Sequence, residues 1–588
     1  MRLFSQLSWF FRREWRRYGG AVLLLVVISL LQLIPPRIVG IIIDTTTHQQ
    51  MTSTRLMLWT GCMVIIAVMI YLLRYLWRVL LFGAAYKLAV ELRQAFYHQL
   101  SRQNAAFYQR HRTGDLMARA TNDVDRVVFA AGEGVLTLVD SLFMGVAVLI
   151  VMSTQISWQL TLLALLPMPV MAVIIKRYGD ILQQRFKRAQ EAFSLLNNQA
   201  QESLTSIRMI KAFGLENRQS AQFAATAKET GERNLQVARV DSRFDPTIYI
   251  AVGMANLFAV AGGSWFVWQG TLTLGELTSF IIYLGLMIWP MLALAWMFNI
   301  VERGSAAWER IRSLLDEAPV LTDGNEKLPP GRADLTVNIK RFCFPETSAP
   351  VLEDITATVQ PGKTLAFCGP TGSGKTTLLN LLQRQFDVTE GDICYNGRPL
   401  RNLSIYNWRQ RLAVVNQTAF LFSDTVANNI SLGAPSASQQ EIERAAKLAC
   451  VHEDIMHFPD GYQTEIGERG VMLSGGQKQR LSIARALLMN AEILLLDDAL
   501  SAVDGQTEKR ILDNLRHWGV DKTVIITAHR LSALSSADEI VVLHRGTVSQ
   551  RGEHSMLIEQ PGWYSEMYRY QQIEASLDDD EMDGHVNG

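Results

Sequence analysis

The order of apolar and polar positions divides the chain into two textures. Six apolar stretches come first, near Gly19 to Ile43, Leu56 to Leu73, Gly134 to Met152, Trp158 to Ile175, Thr247 to Trp268 and Phe280 to Ile300. A hydrocarbon layer of about 30 Å needs roughly 20 helical residues, with about 17 enough at the short end, so each stretch predicts a membrane-spanning helix. The first carries Pro35, Pro36 and Arg37, and the second is bounded by Arg74 and Arg78; for these two a buried core helix is the alternative. The intervening segments 82–133 and 176–245 are too long for structureless loops. They are rich in helix formers, and apolar residues recur at three-to-four spacing, as in Phe193, Leu196, Ala200, Leu204 and Ile207. The spans are therefore expected to continue as helices roughly 30 Å beyond the membrane before turning back.

After Leu315 the pattern changes. Asp323, Gly324, Pro329, Pro330 and Gly331 punctuate the chain, and short β-type runs such as LTVNI and TLAFC then alternate with helical stretches, the pattern of an α/β domain. The expected organisation is a helical transmembrane domain over 1–318, a linker over 319–335, an α/β domain over 336–573 and an acidic tail over 574–588. The tail, SLDDDEMDGHVNG, has too few apolar residues to pack and is expected to be disordered.

Basic residues orient the spans. Arg12, Arg13, Arg16 and Arg17 precede the first, and both long internal segments are rich in Lys and Arg; Ser153 to Ser157 has no charge, Gln269 to Glu276 has no Lys or Arg, and the first outer loop holds only Arg55. By the positive-inside rule both chain ends face the cytoplasm. The first apolar stretch lacks a small-residue cleavage site and reads as an anchor rather than a removed signal. The 588 residues are 49% hydrophobic and 19% charged, with 56 basic against 56 acidic residues. That balance excludes a disordered chain and a protein that relies on a basic surface to hold nucleic acid. Cys62, Cys343, Cys368, Cys394 and Cys450 show no paired or metal-ligand spacing and suit a reducing compartment.

Strand TLAFC runs into Gly369, Pro370, Thr371, Gly372, Ser373, Gly374, Lys375, Thr376 and Thr377, which fits G-x-x-x-x-G-K-[ST] in a strand-to-helix context. Glycines let backbone N–H groups wrap phosphates, Lys375 neutralises β- and γ-phosphate charge, and the Thr376 hydroxyl reaches Mg²⁺. A second apolar strand, Ile493 to Asp497, ends in a carboxylate suited to that metal. The cofactors expected are ATP and Mg²⁺.

Between these motifs stand Leu473, Ser474, Gly475, Gly476 and Gln477, which match the signature of ATP-binding-cassette (ABC) proteins. Several further positions resemble the family. By that resemblance Gln417 is the Q-loop residue, acting in catalysis and on Mg²⁺, Asp504 belongs to the D-loop, His529 is the switch histidine, and Phe344 takes the adenine-stacking place usually held by Tyr. The resemblance also implies a dimer, in which each ATP lies between one chain's phosphate loop and the other's signature. Spans followed by a fused cassette resemble the exporter type of half-transporter, the type IV fold. FYQRHRTGDLMARATNDVDRV matches the family's first coupling segment at Tyr108, Gly114, Arg119 and Asp123, and ESLTSIRMIKAFGLE matches the second at Glu202, Ile207, Lys211 and Phe213. These turns are expected to dock on cassettes, and Thr464 to Gly470 resembles the exporter X-loop that touches them. Across its whole length the chain is similar to the A-type bacterial multidrug-resistance-like half-transporters.

One departure is informative. Family members place Glu directly after the metal Asp to polarise the attacking water, and here that position is Asp498. One methylene less reach implies a slow, degenerate site, with competent hydrolysis where this chain's LSGGQ completes a site on a B-type partner; a heterodimer is favoured over a homodimer. The resemblance implies ATP-driven export of amphipathic small molecules across the bacterial inner membrane. Lipid translocation between leaflets, or a nucleotide-gated channel or regulator, are the alternatives. Asp140 in the third span is a functional-site candidate as an intramembrane carboxylate. With Trp268, Trp289 and Trp296 it could line a substrate cavity, and packing or interface anchoring is the other reading.

Overall fold

The computed structural model describes residues 2–328, 331–345, 347–467 and 473–586. The described residues form two compact units, one of Met1–Leu100 with Gly114–Glu317 and one of Ser101–Thr113 with Ala318–Gly588.

The first unit is helical. Among the described residues, five helical runs are long and apolar enough to cross a membrane: Trp15–Thr47, Ser53–Ser101, Thr113–Leu165, Glu216–Trp268 and Leu274–Leu315. The fourth expected span, Trp158 to Ile175, is helical on both sides of one interruption. Its apolar residues are shared between Trp158–Leu165 and Pro167–Thr205, interrupted at Leu166, because Pro167 has no N–H to continue the ladder. The first helix breaks at Leu33, and Pro35 and Pro36 occupy the first turn of Ile34–Thr47, where proline is tolerated. The long internal segments are helical as their spacing predicts: the Ser53–Ser101 helix has 49 residues and runs roughly 70 Å.

Small residues set the closest packing in this unit. The Ile34–Thr47 helix meets Leu274–Leu286 at Gly40 and Gly275, where a Cβ on Gly275 would collide with the Gly40 carbonyl. The Ser279 hydroxyl donates to the Pro36 carbonyl at 2.9 Å in the same seam. Asp44 accepts from the Thr273 hydroxyl and the Gly275 N–H, both at 2.7 Å, at the N-terminus of Leu274–Leu286. The Thr113–Leu165 run contains three π-helical turns, Arg119–Asp123, Ala130–Gly134 and Met152–Ser157, which no sequence periodicity announces.

The second unit is built on two sheets. Strands β1 (Leu335–Phe342), β2 (Leu352–Val359), β4 (Glu390–Tyr395) and β5 (Arg398–Pro399) form an antiparallel sheet in the order β2-β1-β4-β5. Strands β3 (Thr364–Cys368), β6 (Leu412–Val415), β7 (Ile493–Asp497), β8 (Thr523–Thr527), β9 (Glu539–His544) and β10 (Thr547–Gly552) form a sheet in the order β10-β9-β3-β8-β7-β6. Its first five strands from the β6 side are parallel and β10 is antiparallel. β7 is buried at all five positions, as a parallel strand covered on both faces should be.

The segment ahead of β1 is held on this unit. Arg384, 1% exposed, donates to the carbonyls of Thr322, Arg401 and Leu403, and Asp323 accepts from the Ile405 N–H at 2.7 Å. The short helix Ala105–Arg110, capped by Asn104, contributes Ala106 to the same apolar cluster as Val337, Leu378 and Trp408. The last described helix, Trp563–Val586, runs into the acidic end. Propagating an established helix through Leu, Glu and Met costs far less than nucleating one.

Candidate nucleotide site

The site lies at the carboxyl edge of the parallel sheet, where open α/β sheets bind ligands. β8 separates β3 from β7, so the chain leaving β3 and the carboxylate ending β7 flank one strand. Gly369 has φ 142° and Gly374 φ 102°, both left-handed; a Cβ at Gly369 would strike the Leu543 carbonyl and one at Gly374 the Leu352 side chain. Glycine is thus required for the loop to lie this close to β9 and β2.

The loop delivers Lys375 and Thr376 into the first turn of the helix Lys375–Leu382. Lys375 is buried, and its Nζ donates to the carbonyls of Gly369 at 2.9 Å and Pro370 at 3.0 Å. Burial pushes the Lys375 ammonium below its ordinary pKa, opposed by the charges of Asp498 and Asp497. The Thr376 hydroxyl donates to Asp497 Oδ1 at 3.2 Å, and Thr527 at the end of β8 donates to the same oxygen at 2.8 Å. A carboxylate and a hydroxyl converging from two elements are hard oxygen donors, and they fit Mg²⁺.

Asp498 follows directly. Its backbone is left-handed, with φ 44°, and its N–H donates to the Thr527 carbonyl at 2.9 Å. Its Oδ1 receives the His529 N–H at 3.4 Å, so the carboxylate and the histidine loop are adjacent. Gln417 lies exposed, two residues past the end of β6, the neighbour of β7. Phe344 packs edge-on against Phe342 and Phe386, with centroids 5.2 and 5.3 Å away.

The signature is a separate construction. Ser474 caps the helix Gly475–Leu488 through a reciprocal box with Gln477, which also donates to Asp454 at 3.0 Å. Gly476 lies against the Ala502 carbonyl. Asp504 caps Gly505–Trp518, and the Thr507 N–H holds its carboxyl below the usual range. Sequence reasoning missed Gln479, which ties the signature helix to the D-loop: its Nε2 donates to Ser501 Oγ at 3.0 Å and its Oε1 accepts from Ala502 N–H at 2.9 Å. A polar residue 5% exposed inside a helix was the available signal. Gln479→Leu is expected to destabilise the cassette by about 1–2 kcal/mol, read as a thermal midpoint lower by a few degrees; an unchanged midpoint would remove Gln479 as the tie.

The coupling candidates divide between the units. Tyr108 lies in the short helix that packs with the cassette, beside Phe107. Gly114, Arg119 and Asp123 belong to the membrane unit, where Asp123 accepts from Arg310 Nε at 2.8 Å and Nη2 at 2.6 Å. Glu202 and Lys211 are exposed in the membrane unit beside the second turn, and Phe213 is 71% exposed there. Of the X-loop, Thr464 and Ile466 pair with Val426 and Asp424, and residues 468–470 lie outside the described residues. Trp268 lies tilted against Trp265, Trp296 meets Phe129 edge-on, Trp289 is exposed, and Asp140 is half-buried on the third span.

The family described as ABC transporter transmembrane region matches residues 19–291, and the family described as ABC transporter matches residues 352–501. The multidrug resistance-like ATP-binding protein MdlA of Escherichia coli (strain K12) is 69% identical over 98% of both chains. This chain belongs to the MdlA-type ABC transporters. This ABC transporter is also 32% identical to an ATP-dependent lipid A-core flippase of Syntrophus aciditrophicus (strain SB), over 86% of this chain and 84% of that one. Among solved structures, a bacterial Atm1-family ABC exporter with ATP bound covers 95% of the chain and 98% of its own, with 26% identity and a TM-score of 0.77. The chain is therefore a multi-pass membrane protein whose ABC ATPase domain couples ATP hydrolysis to transport.

Proposed function

We propose that this ABC transporter is one half of a dimeric exporter that moves amphipathic small molecules across the bacterial inner membrane, with both chain ends in the cytoplasm. The observation that carries the reading is the convergence of Lys375, Thr376 and Asp497 at one sheet edge, in a chain whose other half is membrane helix. The phosphate loop holds ATP by its backbone N–H groups and Lys375, and Phe344 offers its ring to adenine. Thr376, Asp497 and Gln417 hold Mg²⁺, which when bound supplies charge neutralisation at the phosphates. Asp498 orients water and His529 stands beside it to support the transferred phosphoryl group.

Ser474, Gly475, Gly476 and Gln477 present a hydroxyl and helix N-terminal N–H groups to ATP held by a second chain. Asp498 supports a slow own site and a B-type half-transporter as that second chain. The second coupling turn docks on the second chain's cassette, and its Phe213 and Met209 are 71% and 59% exposed. This chain's own cassette groove, about 630 Å³ and lined by Phe420, Phe422, Leu432 and Asp424, takes the second chain's coupling turn in return.

Lipid translocation is the second reading, favoured by the likeness to a protein named as a lipid A-core flippase. Purified dimer in vesicles with the cassettes outward is expected to accumulate a cationic amphipathic dye when given ATP. Flipping of labelled phospholipid without dye uptake would favour the second reading, and passive, ATP-gated leakage would overturn both.

A further inference from the structure

The last described helix, Trp563–Val586, touches the histidine loop at one point. Gln571 Nε2 donates to the His529 carbonyl at 2.8 Å, and its Oε1 accepts from the Leu531 N–H at 2.9 Å. The pairing fixes the amide orientation, since a flipped amide would set N–H against N–H. Arg530 between them is extended, with φ −85° and ψ 115°, so the amide occupies the place of a neighbouring β-strand. It spans the backbone of the residue whose imidazole serves the site.

The helix is anchored so that this contact is held. Tyr564 is fully buried, its hydroxyl 2.7 Å from His554 Nδ1, in one apolar cluster with Leu531, Leu534 and Leu557. Gln571 lies seven residues on, two helical turns along the same face. The loop is tied on its other side too: Arg530 Nη1 donates to the Val503 carbonyl at 2.9 Å and to Glu508 at 2.6 Å. The His529 N–H reaches Asp498 Oδ1. Gln571, Arg530 and Asp498 thus hold three consecutive parts of one loop.

We propose that Gln571 is a positioning residue for ATP hydrolysis, setting the backbone of His529 and through it the approach of the imidazole to the phosphoryl group; this rests on His529 being the switch histidine. The side chain touches no substrate. Losing the clamp shifts the His529 frame rather than the phosphate loop, so turnover falls while nucleotide binding does not. A displacement of about 1 Å at a reacting group costs on the order of 10²-fold, and a part of that, roughly tenfold, is expected here.

The test uses the assembled dimer, with the phosphate-loop lysine of any different second chain replaced so that only this chain's loop turns over. Single-turnover release of ADP, with protein in excess over ATP, resolves slow rates. Gln571→Leu is expected to lower the rate roughly tenfold, with affinity for a fluorescent ATP analogue unchanged and the thermal midpoint at most a few degrees lower. His529→Ala is expected to lose at least as much, and the double variant to be no slower than His529→Ala alone, since Gln571 acts through His529. Should Gln571→Leu fail to fold, Gln571→Glu, which keeps the acceptor and loses the donor, takes its place. A wild-type rate for Gln571→Leu beside a crippled His529→Ala overturns the clamp alone. A wild-type rate for His529→Ala overturns the switch reading and the clamp with it. Parallel losses of affinity and midpoint, or additive losses in the double variant, would also overturn the clamp.

Discussion

Asp498→Glu is expected to raise turnover at this chain's own phosphate loop by about one to two orders of magnitude. Everything else the site needs is in place: Lys375 under the loop, and Thr376 and Thr527 on Asp497. What differs is the reach of one carboxylate, and in-line phosphoryl transfer depends on where the water is held. The structure adds a term that sequence alone does not supply. Asp498 has φ 44°, a conformation in which Asp is enriched and longer side chains are less at ease. The Glu variant should therefore gain rate and lose on the order of 1 kcal/mol of cassette stability, a thermal midpoint a few degrees lower. Lys375→Ala added to the variant should return turnover at this site to the background, because a gain in positioning needs a bound nucleotide to act on. Unchanged turnover in the assembled dimer would show that Asp498 already serves as it stands.

The residues the sequence discloses are those whose chemistry is packed into a contiguous motif. Gly369 to Thr377 is read as a phosphate loop because strand, glycines, lysine and hydroxyl must adjoin along the chain, and the structure places them at the edge of β3 with three left-handed glycines. Asp497 is legible for the same reason, as the carboxylate at the end of an apolar run. Residues that act by meeting distant partners are not legible. Gln571 lies 42 positions from His529 and Asp123 lies 187 from Arg310. Neither Gln571 nor Arg310, the partner that Asp123 meets, is distinguished by its neighbours in sequence. The membrane half shows the same limit: hydropathy finds apolar stretches, but the break at Leu166 comes from a single missing N–H at Pro167.

Breaking the Asp123–Arg310 pair is expected to uncouple transport from hydrolysis, and exchanging the two charges to restore part of it. Asp123 has a side chain 7% exposed, accepts from Arg310 Nε and Nη2, and has Arg126 at 3.6 Å. Arg119 completes the joint, donating to the Arg310 carbonyl and to Asp115, both at 3.0 Å. The four residues fasten the base of the third-span helix, at its π-helical turn, to Ile288–Leu315, the last helix of the membrane unit, which ends three residues before Ala318 opens the cassette unit. Arg310→Ala leaves a buried carboxylate with weaker partners. Removing one member of a buried pair costs about 3–5 kcal/mol, and because the Arg310 side chain is 43% exposed about 2 kcal/mol is the reasonable expectation. With this joint loosened, ATP hydrolysis should persist while dye uptake falls by about tenfold or more. Asp123→Arg with Arg310→Asp rebuilds the pair reversed and should recover uptake beyond either single change, though not fully, since Arg126 and Arg119 then face the wrong sign. If the double exchange is as inactive as the worse single variant while its thermal midpoint matches the wild type, the attraction between these two side chains is not what carries the coupling.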